Sequence, residues 1–213
     1  MISKETVKER LIVFTRYPEP GLTKTRLIPA LGATGAATLQ RQMTEYTLGK
    51  VKELQSFRPI SLEVRFAGGN LSLMEGWLGS DIVLQPQGTG DLGSRMAQAL
   101  SIAFQSGTQR GVIIGTDCPG VNAQLIAQAF QCLYSNDLVL GPAIDGGYYL
   151  IGLCCFVPEL FSGISWGTAE VLQQTLTIAN NLNLSVAHLP QLADVDRPED
   201  LPVWDATRKE AGD

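Results

Sequence analysis

Three cations, Arg16, Lys24 and Arg26, fall within "RYPEPGLTKTRL", residues 16–27, directly after the apolar run LIVF at 11–14. Pro18, Pro20 and Gly21 between them disfavour a helix and make an extended or turning loop. Lysine and arginine beside free backbone N–H groups are the usual means of holding phosphates. Neither GxxxxGK[ST] nor GxGxxG is present, so this is not a Walker loop or a dinucleotide fingerprint. On composition alone the segment reads equally as a solvated basic turn.

Four further stretches carry residues able to do chemistry. In "QPQGTGDLGSRM", residues 85–96, Gly88 and Gly90 allow backbone to approach a ligand closely, and Asp91 suits the cap of a helix whose N-terminus could face that ligand. A plain glycine-rich connection with a cap explains the same residues. In "IIGTDCPG", residues 113–120, a buried strand delivers Asp117 at its end, where a carboxylate can bind Mg²⁺ carried by phosphates or serve as a turn residue. In "GPAIDGGYYLIG", residues 141–152, Asp145 with Gly146 and Gly147 reads as a hairpin turn, yet Asp145 also follows a buried strand. Tyr148 and Tyr149 read as core and pocket wall. In "ADVDRPEDL", residues 193–201, Pro198 suits the first position of a helix and Glu199 and Asp200 its first turn. That leaves Asp194 and Asp196, which precede the cap, without a structural role. His188 is the single histidine and reads as structural; without a second histidine or GxSxG, a hydrolase triad has little support.

The elements that must position these residues alternate. The runs at 11–14, 111–116 and 138–143 are apolar throughout, as strands of a sheet covered on both faces are. Weaker strand patterns lie at 61–67, 81–85, 147–153 and 184–189. Helical periodicity runs over 35–55, 92–105, 122–133 and 169–182, with Thr34, Asp91, Asn122 and Thr168 as caps. Strand alternating with helix predicts a doubly wound, mostly parallel sheet, which binds ligands beyond the carboxyl ends of its strands.

Length and charge set bounds. A chain of 213 residues suits one domain spanning 1–213. The net charge of −5 makes the cationic loop a local feature and argues against a nucleic-acid binder, so a small anion is the expected partner. Cys118, Cys132, Cys154 and Cys155 form no CxxC pair and have no histidine neighbours, which predicts neither zinc nor a disulfide framework but a reduced, cytoplasmic protein, with Cys154 and Cys155 packed as small hydrophobes. "MISKETVKER" lacks a signal-peptide core, and no apolar run approaches the ~20 residues that span a membrane.

Taken in order, "RYPEPGLTKTRL", "QGTGDLG.RM", "GTDCPG", "GPAIDGGYYLIG", "ISWGT" and "DVDRPEDL" resemble a bacterial family labelled radical-SAM/selenodomain-associated transferase, within the nucleotide-diphospho-sugar transferase (glycosyltransferase A) superfamily. The resemblance spans about residues 9–202. It implies a three-layer α/β/α fold, a nucleotide donor, a small-molecule acceptor, and Mg²⁺ or Mn²⁺. It implies phosphate contacts from Arg16, Gly21, Lys24 and Arg26, with metal ligation by Asp117 and Asp196. Asp194 is the competing second ligand. Arg197 departs from the threonine usual after that aspartate, which removes a helix-capping side chain. The first loop also departs from LAxGxGxRM, so sugar-1-phosphate substrates do not follow.

The expected reaction is Mg²⁺-dependent nucleotidyl transfer from a nucleoside triphosphate to a small acceptor. Lys24, Arg16 and Asp117 would do the chemistry, and Gly21, Arg26, Gly88, Gly90, Asp91 and Asp145 would hold the nucleotide. The alternatives are sugar transfer from a nucleotide-sugar and a non-catalytic nucleotide-binding protein. "TDCP" holds one aspartate where glycosyltransferases of this fold carry DxD, and the cationic loop suits a triphosphate better than a diphosphate.

Overall fold

The structure, a computed structural model, describes residues 8–211. The first seven residues, on which part of the reading of the amino terminus rests, lie outside the described residues. Strands β1 (Glu9–Arg16), β2 (Ser61–Ala67), β3 (Val83–Pro86), β4 (Arg110–Ile114), β5 (Leu138–Pro142), β6 (Tyr148–Leu153) and β7 (Val186–His188) form one sheet in the order β3-β2-β1-β4-β6-β5-β7. β6 runs antiparallel to both neighbours, and the remaining pairs are parallel. The helices are α1 (Ile28–Gln55), α2 (Leu71–Leu78), α3 (Leu92–Gln105), α4 (Ala123–Cys132), α5 (Val171–Asn181) and α6 (Leu201–Ala211).

The uniformly apolar strands are explained by helices on both faces. Leu11, Val13, Val64, Phe66, Val112 and Ile114 face α1, α2 and α4. Their alternate neighbours Ile12, Phe14, Ile113 and Ile151 face α3 and α5. α6 adds Trp204 to a smaller cluster with Leu27, Leu39 and Met43 beside α1. The result is the expected three-layer α/β/α arrangement with a mostly parallel sheet.

Several local expectations change. The alternation of strand and helix breaks once, because β5 turns straight into β6. Residues 143–147 are a true hairpin connection: the Ala143 N–H donates to the Gly147 carbonyl at 3.0 Å and the Gly147 N–H donates to Asp145 Oδ1 at 2.8 Å. Gly146 has φ 90°, and a Cβ there would lie 2.3 Å from the Ala169 carbonyl oxygen, so the turn admits only glycine. Thr34 caps nothing. α1 begins earlier at Ile28, with Pro29 in its first turn, and breaks at Gly32, whose φ of 70° and ψ of 166° are not helical. Thr168 is not the cap of α5 either. That position is Glu170, whose N–H donates to Thr168 Oγ1 at 3.3 Å. Asp91 and Asn122 do cap, accepting from the Ser94 and Leu125 N–H groups at 2.8 Å each. α2 was not legible in the periodicity: at eight residues it is too short to show much of it, and it starts at the cap Asn70. Cys155 is exposed rather than packed, since β6 ends at Leu153; Cys154 is half-buried.

Candidate active site

β1 lies between β2, which leads one way along the sheet, and β4, which leads the other. The carboxyl ends of β1 and β4 are therefore the point where the winding reverses and a crevice opens. A cavity of about 700 Å³ lies there. Its lining includes Arg16, Lys24 and Arg26 from the loop after β1, Asp117 after β4, Asp145 from the β5–β6 turn, and Asp194 and Asp196 after β7. Residues far apart in sequence but alike in position, each just past a sheet strand, thus converge.

Lys24 is held in a left-handed conformation (φ 46°, ψ 47°), unusual for a residue with a side chain. Its side chain is 4% exposed. The ammonium donates to Asp117 Oδ1 at 2.8 Å and to the Val195 carbonyl at 2.7 Å. The Val195 N–H in turn donates to the Asp117 carbonyl at 2.9 Å, which fastens the segment after β7 to the end of β4. Arg26 pairs with the carboxylate of Asp196, and that contact raises the guanidinium pKa further above its ordinary value. Lys24 and Arg26 are therefore each set against one of the two aspartates expected to bind metal, while Arg16 donates to the Leu22 carbonyl at 3.2 Å.

The turn at Asp196 is held without a threonine at position 197. The Asp200 carboxylate accepts from the N–H groups of Asp196 and Arg197 at 3.1 and 2.8 Å, tying down the turn before α6 from its far side. Asp194 is held above the usual carboxylate range, first by burial and then by Asp145, Asp200 and Asp196 facing it. This crowding of acids gives one wall of the cavity a negative field beside the cations.

Gln40, Gln87 and Arg95 also line the cavity. Gln40 of α1 is buried and lines the cavity, donating to the hydroxyls of Thr15, Thr44 and Thr116. Gln87 donates to the Thr15 and Arg65 carbonyls. Arg95 of α3 supplies a further cation, bonded through Nε to the Gly90 carbonyl at 2.9 Å. Arg95 sits inside the quoted "QGTGDLG.RM" stretch, so its signal was present; Gln40 carries none, because only the tertiary fold brings α1 beneath the cavity.

Gly21, Gly88, Gly90 and Asp91 do not line this cavity. Gly21 turns the exposed loop at φ 83°. Gly88 and Gly90 have φ of 88° and 93° and abut Gln98 and Ser94 of α3, so they form a tight left-handed turn into that helix. Gly88 borders a smaller cavity of about 470 Å³ with Arg10, Glu63 and Arg65.

The donor set suits a hard divalent cation. Among the described residues no group of three or more His, Cys, Asp or Glu side chains is placed to enclose a metal. The Lys24 ammonium, however, already lies between oxygen donors only, the Asp117 carboxylate and the Val195 carbonyl. Mg²⁺ bound with phosphates needs just one or two protein carboxylates, the rest of its shell being phosphate and water.

The fold is that of nucleotide-diphospho-sugar transferases. A protein of Desulfovibrio desulfuricans G20, provisionally named a nucleotide-diphospho-sugar transferase, matches with 35% identity over 96% of this chain and 89% of its own, at a TM-score of 0.89. CMP:2-keto-3-deoxy-manno-octonic acid synthetase complexed with CTP shares the fold at 11% identity, covering 96% and 99% of the two chains with a TM-score of 0.60. The manganese complex of Rv0371c from Mycobacterium tuberculosis H37Rv does so at 15% identity, 92% and 97% coverage and a TM-score of 0.54. No curated protein matches. Residues 50–168 match the family described as "Uncharacterized protein conserved in bacteria (DUF2064)", and the chain belongs to that family. Among the described residues no helix is long and apolar enough to cross a membrane.

Proposed function

We propose that this chain is a Mg²⁺- or Mn²⁺-dependent nucleotidyltransferase that moves a nucleotidyl group from a nucleoside triphosphate to a small-molecule acceptor. The observation that carries the reading is the crossed pairing of Lys24 with Asp117 and Arg26 with Asp196 in one cavity at the winding reversal. The reading takes the 213 residues as one cytoplasmic domain, and keeps the narrower radical-SAM/selenodomain-associated label on the strength of the motifs alone.

Asp117 and Asp196 would hold the divalent cation. When bound, that cation would supply charge neutralisation for the phosphates. Lys24 and Arg26 then have anions to exchange for their carboxylates, and Arg16 and Arg95 face the same space. Asp145, on the same acidic wall as Asp194, would hold the nucleotide at the rim. The acceptor oxygen attacks the α-phosphorus as the bond to pyrophosphate breaks, and negative charge builds on the leaving group. A buried ammonium at Lys24 is placed to meet that charge at little reorganisation cost. The glycine turn 88–90 acts on this site indirectly, by fixing α3 and with it Arg95.

A second reading, sugar transfer from a nucleotide-sugar, is favoured by the name of the 35%-identical relative. Calorimetric titration of the four ribonucleoside triphosphates and a panel of nucleotide-sugars, each with Mg²⁺, separates the two. Nucleotidyl transfer predicts that a triphosphate binds tightest and that Lys24→Ala weakens it at least ~10-fold, the size of one charge-assisted contact. Tighter binding of a nucleotide-sugar, insensitive to Lys24, would give the case to sugar transfer. Absence of binding by either class would contradict both.

A further inference from the structure

The cavity has a second end that the phosphate chemistry leaves unused. Its charged end lies on the side of α1 and α6, where Lys24 and Val195 meet. The other end reaches the opposite face of the sheet, into the gap between α3 and α5. There it is lined by Phe14, Leu92, Met96, Ile151, Tyr148 and Trp166. Trp166 comes from the loop before α5 and lies directly on Gly93 in the first turn of α3: a Cβ on Gly93 would fall 2.4–2.5 Å from the indole ring. Trp166 and Tyr148 meet edge to face, with centroids 6.3 Å apart. The Tyr148 hydroxyl is buried near Thr175. Leu92 is 44% exposed at the rim.

We propose that this slot binds the apolar body, alkyl or aryl, of the acceptor, with the acceptor's nucleophilic oxygen directed back toward Asp117. The assignment rests on the transferase reading and deepens it by naming the acceptor class. A sugar or polyol placed here would bury hydroxyls without partners, which is costly. A nucleobase has a hydrogen-bonding edge to satisfy, and the side-chain amides that line the cavity are already engaged, Gln40 with the Thr15, Thr44 and Thr116 hydroxyls and Gln87 with the Thr15 and Arg65 carbonyls. An apolar group gains instead from every methylene-sized increment of buried surface, and ring edges favour it further.

The test compares two monophosphates that differ in the body attached, phenyl phosphate and glycerol phosphate, by calorimetry on the full chain with Mg²⁺. Phenyl phosphate binds at least ~10-fold more tightly to the wild type, the difference expected when a ring replaces hydroxylated carbons in an apolar slot. Trp166→Ala and Gly93→Ala each abolish that preference. The second puts a stronger helix former into α3, and retention of the wild-type circular dichroism and melting transition shows that the fold is intact. Trp166→Ala costs a Mg²⁺–triphosphate less than ~3-fold. Equal binding of the two monophosphates, or no binding of either, overturns the proposal. So does an undiminished preference in both variants. An equal loss of triphosphate and phenyl phosphate in Trp166→Ala overturns it in favour of a nucleobase slot. A preference for phenyl phosphate with no triphosphate binding supports the apolar subsite and counts against the transferase reading alone.

Discussion

Lys24 occupies a backbone region that a side-chain-bearing residue enters at a cost of roughly 1–2 kcal/mol. That strain aims an almost fully buried ammonium at Asp117 and the Val195 carbonyl. Two substitutions separate the charge from the turn. Lys24→Ala and Lys24→Gly both delete the ammonium, but only glycine relaxes the left-handed backbone. The glycine variant should melt higher than the alanine variant, by about 1 kcal/mol in chemical denaturation. In steady-state pyrophosphate release both should lose turnover on the order of 10²-fold, with a smaller change in KM, as when one charge-stabilising donor is removed. Equal turnover in wild type and variants would make the loop a basic turn and nothing more. The residues that could be read from sequence, Arg16, Lys24, Asp117 and Asp196, share one property: each lies at the carboxyl end of a strand or in the segment that follows it, where local pattern and position coincide. Gln40, Arg95 and Trp166 lie on or before helices. Their place at the cavity depends on which helix face meets which strand, and no local pattern reports that.

At the scale of elements, the strands at 11–14, 111–116 and 138–143 were plainly legible because both-face burial leaves an apolar run, whereas the other four, among them the edge strands β3 and β7, gave weaker patterns. The helices with long amphipathic stripes were legible because one face alone is buried. What misled was the turn between β5 and β6. Asp145-Gly146-Gly147 carries a hairpin signal, and it is one, while Asp145 also reaches the cavity rim. A turn residue and a site residue are not exclusive when the hairpin lies at the carboxyl edge of the sheet. This hairpin is fastened to α5 through the Gly146 carbonyl, which accepts from the Leu172 N–H at 3.0 Å. Gly146→Ala should destabilise by more than about 2 kcal/mol, the left-handed penalty plus overlap with the Ala169 backbone. Urea unfolding reads this directly, and a loss below ~0.5 kcal/mol would mean that the turn relaxes freely. The departure at Arg197 is instructive in the same way. The capping threonine is gone, yet Asp200 secures the same turn from three residues downstream. Cap chemistry can come from either side of a helix start, so a missing N-cap residue is weak grounds for doubting the position before it.

Across the whole molecule, three segments separated by scores of residues, after β1, β4 and β7, share their charges in one cavity. In the structure the cations neutralise the acids: Lys24 with Asp117, Arg26 with Asp196. A triphosphate alone would meet those acids, and a divalent ion alone would meet those cations. Together they let each group exchange one partner for another of the right sign, so Mg²⁺ and triphosphate should stabilise the fold jointly by more than the sum of their separate effects. Asp117→Asn should cost the unliganded protein at most about 1 kcal/mol, because Asp117 is more than half exposed and its ion pair is screened by water. It should remove most of the joint stabilisation. The measurement is the melting temperature of wild type and Asp117→Asn with Mg²⁺ alone, each nucleoside triphosphate alone, and both. For wild type with the preferred triphosphate at a hundredfold excess over its Kd, the joint rise should correspond to about 2.7 kcal/mol, and it should vanish on chelating the metal and in Asp117→Asn. No joint rise with any triphosphate, or an equal rise in Asp117→Asn, would contradict the account.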